Sequence, residues 1–172
     1  MAAQFIHTQE KDSVFIITMD DARTRNALGP AMTTQMQEAL DTFEADPHMR
    51  VLVLTGQDPA FCSGANVRGF QPNASDQLSE PQELPTVPWE RMEARHSLNQ
   101  RRQEQKSGGA QFLPWRLWQI QKPTIAAVNG FAYGIGSGLT LSCDIRIASE
   151  KAVFSESFIR MGLIPADGSC WQ

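Results

Sequence analysis

Cysteine, histidine and long apolar runs are all scarce in this chain. It has three cysteines and three histidines in 172 residues. The histidines are scattered, so no metal site is expected. No apolar run approaches the ~20 residues that span a bilayer, so we expect no membrane association. The cysteines follow no zinc spacing and are interpreted as buried or incidental thiols in a reducing cytosol: Cys62, Cys143 and Cys170.

Basic residues are also not in excess. The net charge is −4 and the isoelectric point is near 5.3, which argues against a nucleic-acid partner. The N-terminus is polar and lacks the apolar segment of a secretory signal, so we expect a cytoplasmic protein. The 41% hydrophobic and 20% charged content is ordinary for a soluble globular chain. The length predicts a single domain over residues 1–172.

The first third of the chain alternates strand and helix patterns. Residues 5–10 and 14–19 predict a hairpin around a Lys11-Asp12-Ser13 turn. Pro30 suits the first position of a helix that extends to about Ala45. The mainly apolar run 50–56 then predicts a strand covered on both faces, as in a parallel sheet. Strand, helix and strand in this order favour a crossover unit, and hence an α/β fold.

The composition changes between about residues 67 and 110. This segment is polar and proline-rich at first, and residues 89–105 are consistent with a helix. A long irregular insertion in a compact domain is often a lid or a binding loop. Its charged residues of both signs favour a solvated helix face over an anion site.

The richest pattern is residues 122–144, KPTIAAVNGFAYGIGSGLTLSCD. It predicts a buried strand, a glycine-rich turn and a short apolar helix that starts near Gly136. A second small-residue turn, residues 61–66, also follows a strand-like run. Turns without bulky side chains let backbone N–H groups face a ligand, and two of them can aim two donors at one oxygen. Phosphate binding and tight packing are the alternatives.

Three competing motifs are not present. A dinucleotide fingerprint needs a glycine where Leu139 stands. The chain contains neither a GxxxxGK[ST] phosphate loop nor a GxSxG nucleophile elbow. Ser63 and Ser137 have no recognisable histidine partner, so a serine-hydrolase triad is not expected.

Four motifs together resemble the crotonase superfamily, the enoyl-CoA hydratase/isomerase group. They are Asn-Ala-Leu at 26–28, Phe-Cys-Ser-Gly-Ala-Asn at 61–66, KPTIAAVNG at 122–130 and CDIRIA at 143–148. The resemblance covers nearly the whole chain in the right order and spacing. It implies an α/β fold of repeated ββα units arranged as a spiral. It also implies that the C-terminal helical part of the family is absent from this chain.

The resemblance further implies an acyl-CoA thioester substrate. The backbone N–H groups of Ala65 and Ile135 would polarise its carbonyl and stabilise an enolate. No cofactor is expected, because coenzyme A is part of the substrate. The family also implies a homo-oligomer, a trimer or a hexamer. Substrate or CoA contacts are expected from Arg23, Thr24, Arg25, Ala27, Gly64, Asn66, Gly134 and Gly136. Solvated loop residues are the alternative for the two arginines.

The chain departs from the family at both hydratase glutamate positions. Gly138 stands at the first and Phe158 at the second, and Glu156 would reach the second only by a register change. Without this acid and base, activation of water is not expected.

Asp167 is the remaining candidate carboxylate, because several relatives with other activities carry one in this loop. A single carboxylate near the α- and γ-carbons could shuttle a proton and move a double bond. The alternative is a turn or helix-cap residue, which is common for Asp-Gly. His96 could assist, although a surface histidine is the simpler interpretation.

The sequence therefore predicts an acyl-CoA-processing enzyme with double-bond isomerase-like chemistry. An enoyl-CoA hydratase proper remains an alternative. A non-catalytic CoA-binding protein that kept the fold is the other.

Overall fold

The computed structural model describes residues 3–67, 110–163, 165 and 167–169. Residues 1–66 and 109–172 form one compact unit. The predicted insertion at about 67–110, with its helix at 89–105, lies almost wholly outside the described residues, as does Cys170. Within the described part, no helix has both the length and the apolar character needed to cross a bilayer.

The chain opens with the predicted hairpin. Strands β1 (Ile6–Lys11) and β2 (Val14–Met19) pair antiparallel. Asp12 in the turn takes a left-handed φ of 54°. Helix α1 (Pro30–Ala45) begins at Pro30 as expected and buries Met32, Met36, Leu40 and Phe43. Strand β3 (Val51–Gly56) returns parallel to β2, which confirms the predicted strand–helix–strand unit.

The first sheet has five strands in the order β1-β2-β3-β5-β7. Strand β5 (Thr124–Val128) is the buried strand predicted in residues 122–144, and strand β7 (Ile145–Ala148) follows the CDIRIA motif. Strand β5 pairs parallel with both β3 and β7. In β3 alternate residues are buried while the others are half-buried, so the run is covered on both faces only in part. Residues Ile145 and Ile147 of β7 are exposed.

A second sheet of three short parallel strands was not predicted as such. It consists of β4 (Ala60–Cys62), β6 (Phe131–Tyr133) and β8 (Val153–Ser155), in that order. Two sequence predictions need correction as a result. The first turn begins only after Cys62, and the stretch between Gly130 and Gly138 is not one turn, because β6 lies inside it. Three-residue strands are too short for period-two alternation to reveal.

Helices follow the strand pairs and complete a repeated ββα arrangement. A 3-10 turn (Ala110–Phe112) leads into α2 (Leu113–Trp118), and α3 (Ile135–Ser142) follows β6. A further 3-10 turn (Phe158–Met161) follows β8. This architecture is the α/β fold of repeated ββα units that the sequence predicted.

The core lies between the first sheet and the helices. Phe15 of β2 and Phe43 of α1 stack with ring centroids 5.7 Å apart. Lys122, just before β5, donates to the carbonyl oxygens of Phe43 and Asp46, which ties the end of α1 to the start of that strand. The second sheet continues from this core, and the two small-residue turns follow its strands β4 and β6.

Candidate active site

The first donor turn comprises residues 63–66, directly after β4. Gly64 has a φ of 107°, a conformation that favours glycine. The Leu28 amide donates to the Gly64 carbonyl at 2.8 Å, and the Asn66 amide donates to the Leu28 carbonyl at 3.0 Å. These two bonds hold the backbone on both sides of Ala65. The Ala65 amide itself donates to no acceptor in the described part of the chain.

The second donor turn comprises residues 133–137, from the last residue of β6 into the first turn of α3. Gly134 has a φ of 51°, and its amide donates to the Ser155 carbonyl of β8 at 2.7 Å. Ile135 is the first residue of α3, and among the described residues its amide has no acceptor. The first amides of a helix have no partner within the helix and carry its partial positive charge.

Glycines let the two donor turns pack directly on each other. A Cβ added at Gly136 would lie 2.3 Å from the Cys62 carbonyl oxygen. A Cβ added at Gly64 would lie 3.0 Å from the Tyr133 carbonyl oxygen. Both substitutions would force backbone apart, so these glycines are required for the approach of the two turns. Packing and donor presentation, which the sequence left as alternatives, therefore occur together here.

Asn26 anchors the polar loop that precedes α1. Its side chain is fully buried and its φ is 61°. Its Nδ2 donates to the carbonyl oxygens of Ala60 at 2.7 Å and Gln57 at 2.9 Å, and its Oδ1 accepts from the Asp21 amide. The sequence offered Asn26 as part of a motif but gave no sign of this role. The bonds fix the loop against the start of β4.

The residues expected to contact CoA lie around this loop. Arg23 and Arg25 are exposed, and neither pairs with a carboxylate in the described ranges. Thr24 is half-buried and bonds to Asp21, while Ala27 is buried. The Ser63 amide donates to the Arg25 carbonyl at 3.1 Å, so the loop lies beside the first donor turn.

Asp167 lies against the first turns of α3. It is 5% exposed, and its Oδ1 accepts from the Ser169 amide at 3.2 Å and hydroxyl at 2.8 Å. Its Oδ2 is buried with no partner among the described residues. A Cβ added at Gly138 would lie 2.3 Å from this Oδ2. The carboxylate therefore occupies the space into which a side chain at position 138 would project.

Phe158, at the second expected glutamate position, is half-buried. Its ring lies 3.8 Å from where a Cβ would stand on Gly134, so it packs near the second donor turn. The structure thus brings Ala65, Ile135 and Asp167 to neighbouring backbone segments.

Comparison with known proteins identifies the family. The sequence profile described as enoyl-CoA hydratase/isomerase matches residues 14–172. The chain belongs to this family. It is 34% identical over 161 residues to the mitochondrial enoyl-CoA hydratase of Pongo abelii, covering 92% of this chain and 46% of that protein. It therefore spans about half the length of the curated relatives it matches.

Solved structures of the family share the fold. An enoyl-CoA hydratase from Polaromonas sp. JS666 superposes with a TM-score of 0.70 at 31% identity, covering 96% of this chain and 56% of that one. An enoyl-CoA hydratase from Bacillus anthracis gives a TM-score of 0.71 at 26% identity, covering 98% and 56%. The crotonase-like fold predicted from the motifs is confirmed.

Other titratable groups near the site contribute little chemistry. Burial raises the pKa of the Cys62 thiol from 9.0 to about 12, so it remains neutral and a poor nucleophile. In the described ranges, no three His, Cys, Asp or Glu side chains are grouped to hold a metal ion. His96 lies outside those ranges.

Two residues beside Asp167 received little weight from the sequence. Ser169 contacts both Asp167 and Glu156 through its hydroxyl. The Asp-Gly-Ser order is itself a turn signal that could have indicated the Ser169 contact to Asp167. The Glu156 contact joins residues 13 positions apart and has no local signal.

Proposed function

We propose that the full-length protein is an acyl-CoA-processing enzyme that shifts the double bond of an enoyl-CoA. The observation that carries this proposal is the buried Oδ2 of Asp167 over Gly138, which has no partner among the described residues. It is a carboxylate available as a base within a turn of the helix that presents the Ile135 amide. Family membership supports the acyl-CoA substrate.

In the proposed reaction the thioester oxygen accepts hydrogen bonds from the Ala65 and Ile135 amides. Asp167 Oδ2 takes the proton from the α-carbon of a 3-enoyl thioester. The C–H electron pair moves into a dienolate, whose charge rests on the thioester oxygen. Preorganised donors of this kind typically contribute the largest share of such stabilisation. Asp167 then returns the proton to the γ-carbon, which leaves the 2-enoyl product.

The CoA portion is proposed to bind along the loop before α1. Arg23 and Arg25 would pair with its phosphates, since both guanidinium groups are exposed and unpaired within the described ranges. Thr24, Ala27, Gly64, Asn66, Gly134 and Gly136 would line the path to the thioester. The reaction needs no cofactor beyond the CoA of the substrate. We also propose a cytoplasmic homo-oligomer, a trimer or hexamer.

A second candidate is an enoyl-CoA hydratase, the name that the relatives carry. Hydration requires an acid and a base to add water across the double bond. The two expected positions hold Gly138 and Phe158, and Asp167 fills the space beside Gly138. This is why isomerisation is preferred.

The test is to incubate the full-length protein with 2-enoyl-CoA and 3-enoyl-CoA and follow the absorbance of the conjugated enoyl thioester. Isomerisation predicts a gain of conjugation from the 3-enoyl substrate that Asp167→Asn abolishes. Fast loss of conjugation from the 2-enoyl substrate would instead establish hydration. CoA binding without turnover of either substrate would favour the non-catalytic alternative.

A further inference from the structure

Two carboxylates share one serine hydroxyl at this site. Ser169 Oγ lies 2.8 Å from Asp167 Oδ1 and 2.8 Å from Glu156 Oε2. The second oxygen of each carboxylate, Asp167 Oδ2 and Glu156 Oε1, is buried without a partner in the described part of the chain. Asp167 is only 5% exposed, so its free oxygen is a buried polar group aimed at the space over Gly138.

The hydrogen count at Ser169 restricts this arrangement. A serine hydroxyl has one hydrogen to donate, whereas an ionised carboxylate can only accept. The single Ser169 hydrogen therefore lies between two acceptors, Asp167 Oδ1 and Glu156 Oε2, each within hydrogen-bond distance of Oγ.

Glu156 is held in place by the second donor turn. It directly follows Ser155, whose carbonyl accepts from the Gly134 amide at 2.7 Å. The Gly134 carbonyl in turn accepts from the Gly138 amide at 3.2 Å. One backbone connection therefore links the turn that presents Ile135 to the residue that contacts Ser169.

We propose that Glu156 is a positioning residue that acts on Asp167 through the Ser169 hydroxyl. The Glu156–Ser169 contact holds the Ser169 hydroxyl, which fixes Oδ1 of Asp167 and leaves Oδ2 facing the reacting carbons. This inference rests on the proposed function, in which Asp167 is the base. A base held in one orientation reacts faster because less orientational freedom is lost in the transition state.

The test compares steady-state isomerisation of 3-enoyl-CoA by four variants of the full-length protein. Ser169→Ala and Glu156→Ala are each expected to lower kcat about 10- to 100-fold with KM changed less than twofold. Ser169→Thr keeps the hydroxyl and is expected to retain kcat within about threefold. Glu156→Gln keeps a side-chain oxygen that can accept from Ser169 and is expected to do the same. Glu150→Gln, an exposed carboxylate in the turn before β8, is the control.

The outcomes separate this inference from the proposed function. If Asp167→Asn is inactive but Ser169→Ala and Glu156→Ala have wild-type kcat, the positioning role is wrong and the base assignment stands. If Asp167→Asn is fully active, the base assignment fails. A Glu156→Gln variant as slow as Glu156→Ala would overturn the hydrogen-bonding role of Glu156. A merely structural role would lower thermal stability and would give no recovery in Ser169→Thr.

Discussion

Oδ2 of Asp167 lies 2.3 Å from where a β-carbon would stand on Gly138. Real β-carbons do not approach an oxygen so closely, so a side chain at 138 would require the Asp167 carboxylate to leave this position. Gly138, which stands at an expected glutamate position, is therefore the residue that leaves room for the Asp167 carboxylate. The proposed preference for isomerisation over hydration depends on this carboxylate at 167 in place of one at 138.

This contact predicts that Gly138→Ala changes the free energy of unfolding in opposite directions in the two backgrounds of a double-mutant cycle. Gly138→Ala alone should lower the free energy of unfolding by about 1–3 kcal/mol, because the added carbon meets Asp167. In an Asp167→Ala background the clash is gone, and the next atom, Pro114 Cγ, lies at an ordinary 3.5 Å. In that background Gly138→Ala should raise the free energy of unfolding by up to about 1 kcal/mol, because alanine has a higher helix propensity than glycine. Urea unfolding measures the change in free energy of unfolding in each background.

Equal effects of Gly138→Ala in the two backgrounds would contradict this contact. Additivity is the normal result for residues that do not touch, so the size of the non-additivity measures the interaction.

Contact between the two donor turns predicts a selective loss of activity. Gly136→Ala should push α3 away from Cys62 and lower kcat by at least about 100-fold, comparable to loss of one oxyanion donor. Gly130→Ala is the matched control, because its Cβ would lie 2.1 Å from the Pro59 carbonyl oxygen. Gly130 and Pro59 directly precede β6 and β4, the strands that lead into the two donor turns. Both variants should lose similar stability in thermal unfolding. A similar loss of kcat in both would show that the effect is only structural.

The local elements were predictable from local patterns. The hairpin turn, the proline-led helix α1 and the apolar strands β3 and β5 each have a signal within one short window. Strands β4 and β6 were missed because they have only three residues each, and β6 also lies between two glycines. The sequence could propose Asp167 from its loop, but not its place on Gly138. That contact joins residues far apart in the chain, and no periodicity encodes it.

Asn26 links stability to the proposed CoA site. Asn26→Ala would remove the side-chain partner of the Gln57 carbonyl oxygen and of the Asp21 amide, and the shorter of the two side-chain bonds to the Ala60 carbonyl oxygen. We expect a loss of about 1–3 kcal/mol in the free energy of unfolding, the usual cost of unsatisfied buried groups. CoA affinity measured by calorimetry should fall as well, because the arginine-bearing loop loses its anchor. Thr55→Val, which removes the hydrogen bond from the Thr55 hydroxyl to the Ala127 carbonyl oxygen in the first sheet, is the control and should leave CoA affinity unchanged.

Arg23 and Arg25 should act on the CoA portion of the substrate alone. Each substitution to alanine is expected to raise KM for acyl-CoA about two- to fivefold at low salt, the range of an exposed ion pair. The effect should shrink as salt is added. KM for a short thioester without the nucleotide should not change. Arg50→Ala serves as the control, and an equal rise in KM for the short thioester would show that the arginines act elsewhere.

The buried thiols should resist alkylation while the chain is folded. Burial raises the pKa of both Cys62 and Cys143 from 9.0 to about 12. Three pKa units correspond to roughly a thousandfold less thiolate at pH 8, and thiolate is the reactive form. Iodoacetamide at pH 8 should therefore leave both residues unmodified in peptide mapping, whereas the chain in guanidinium should be labelled at both. Because the unfolded chain loses these protons first, they also reduce folding stability as pH rises above about 9. Labelling of native Cys62 at the unfolded rate would mean that the first donor turn opens readily, which is incompatible with a preorganised Ala65 amide.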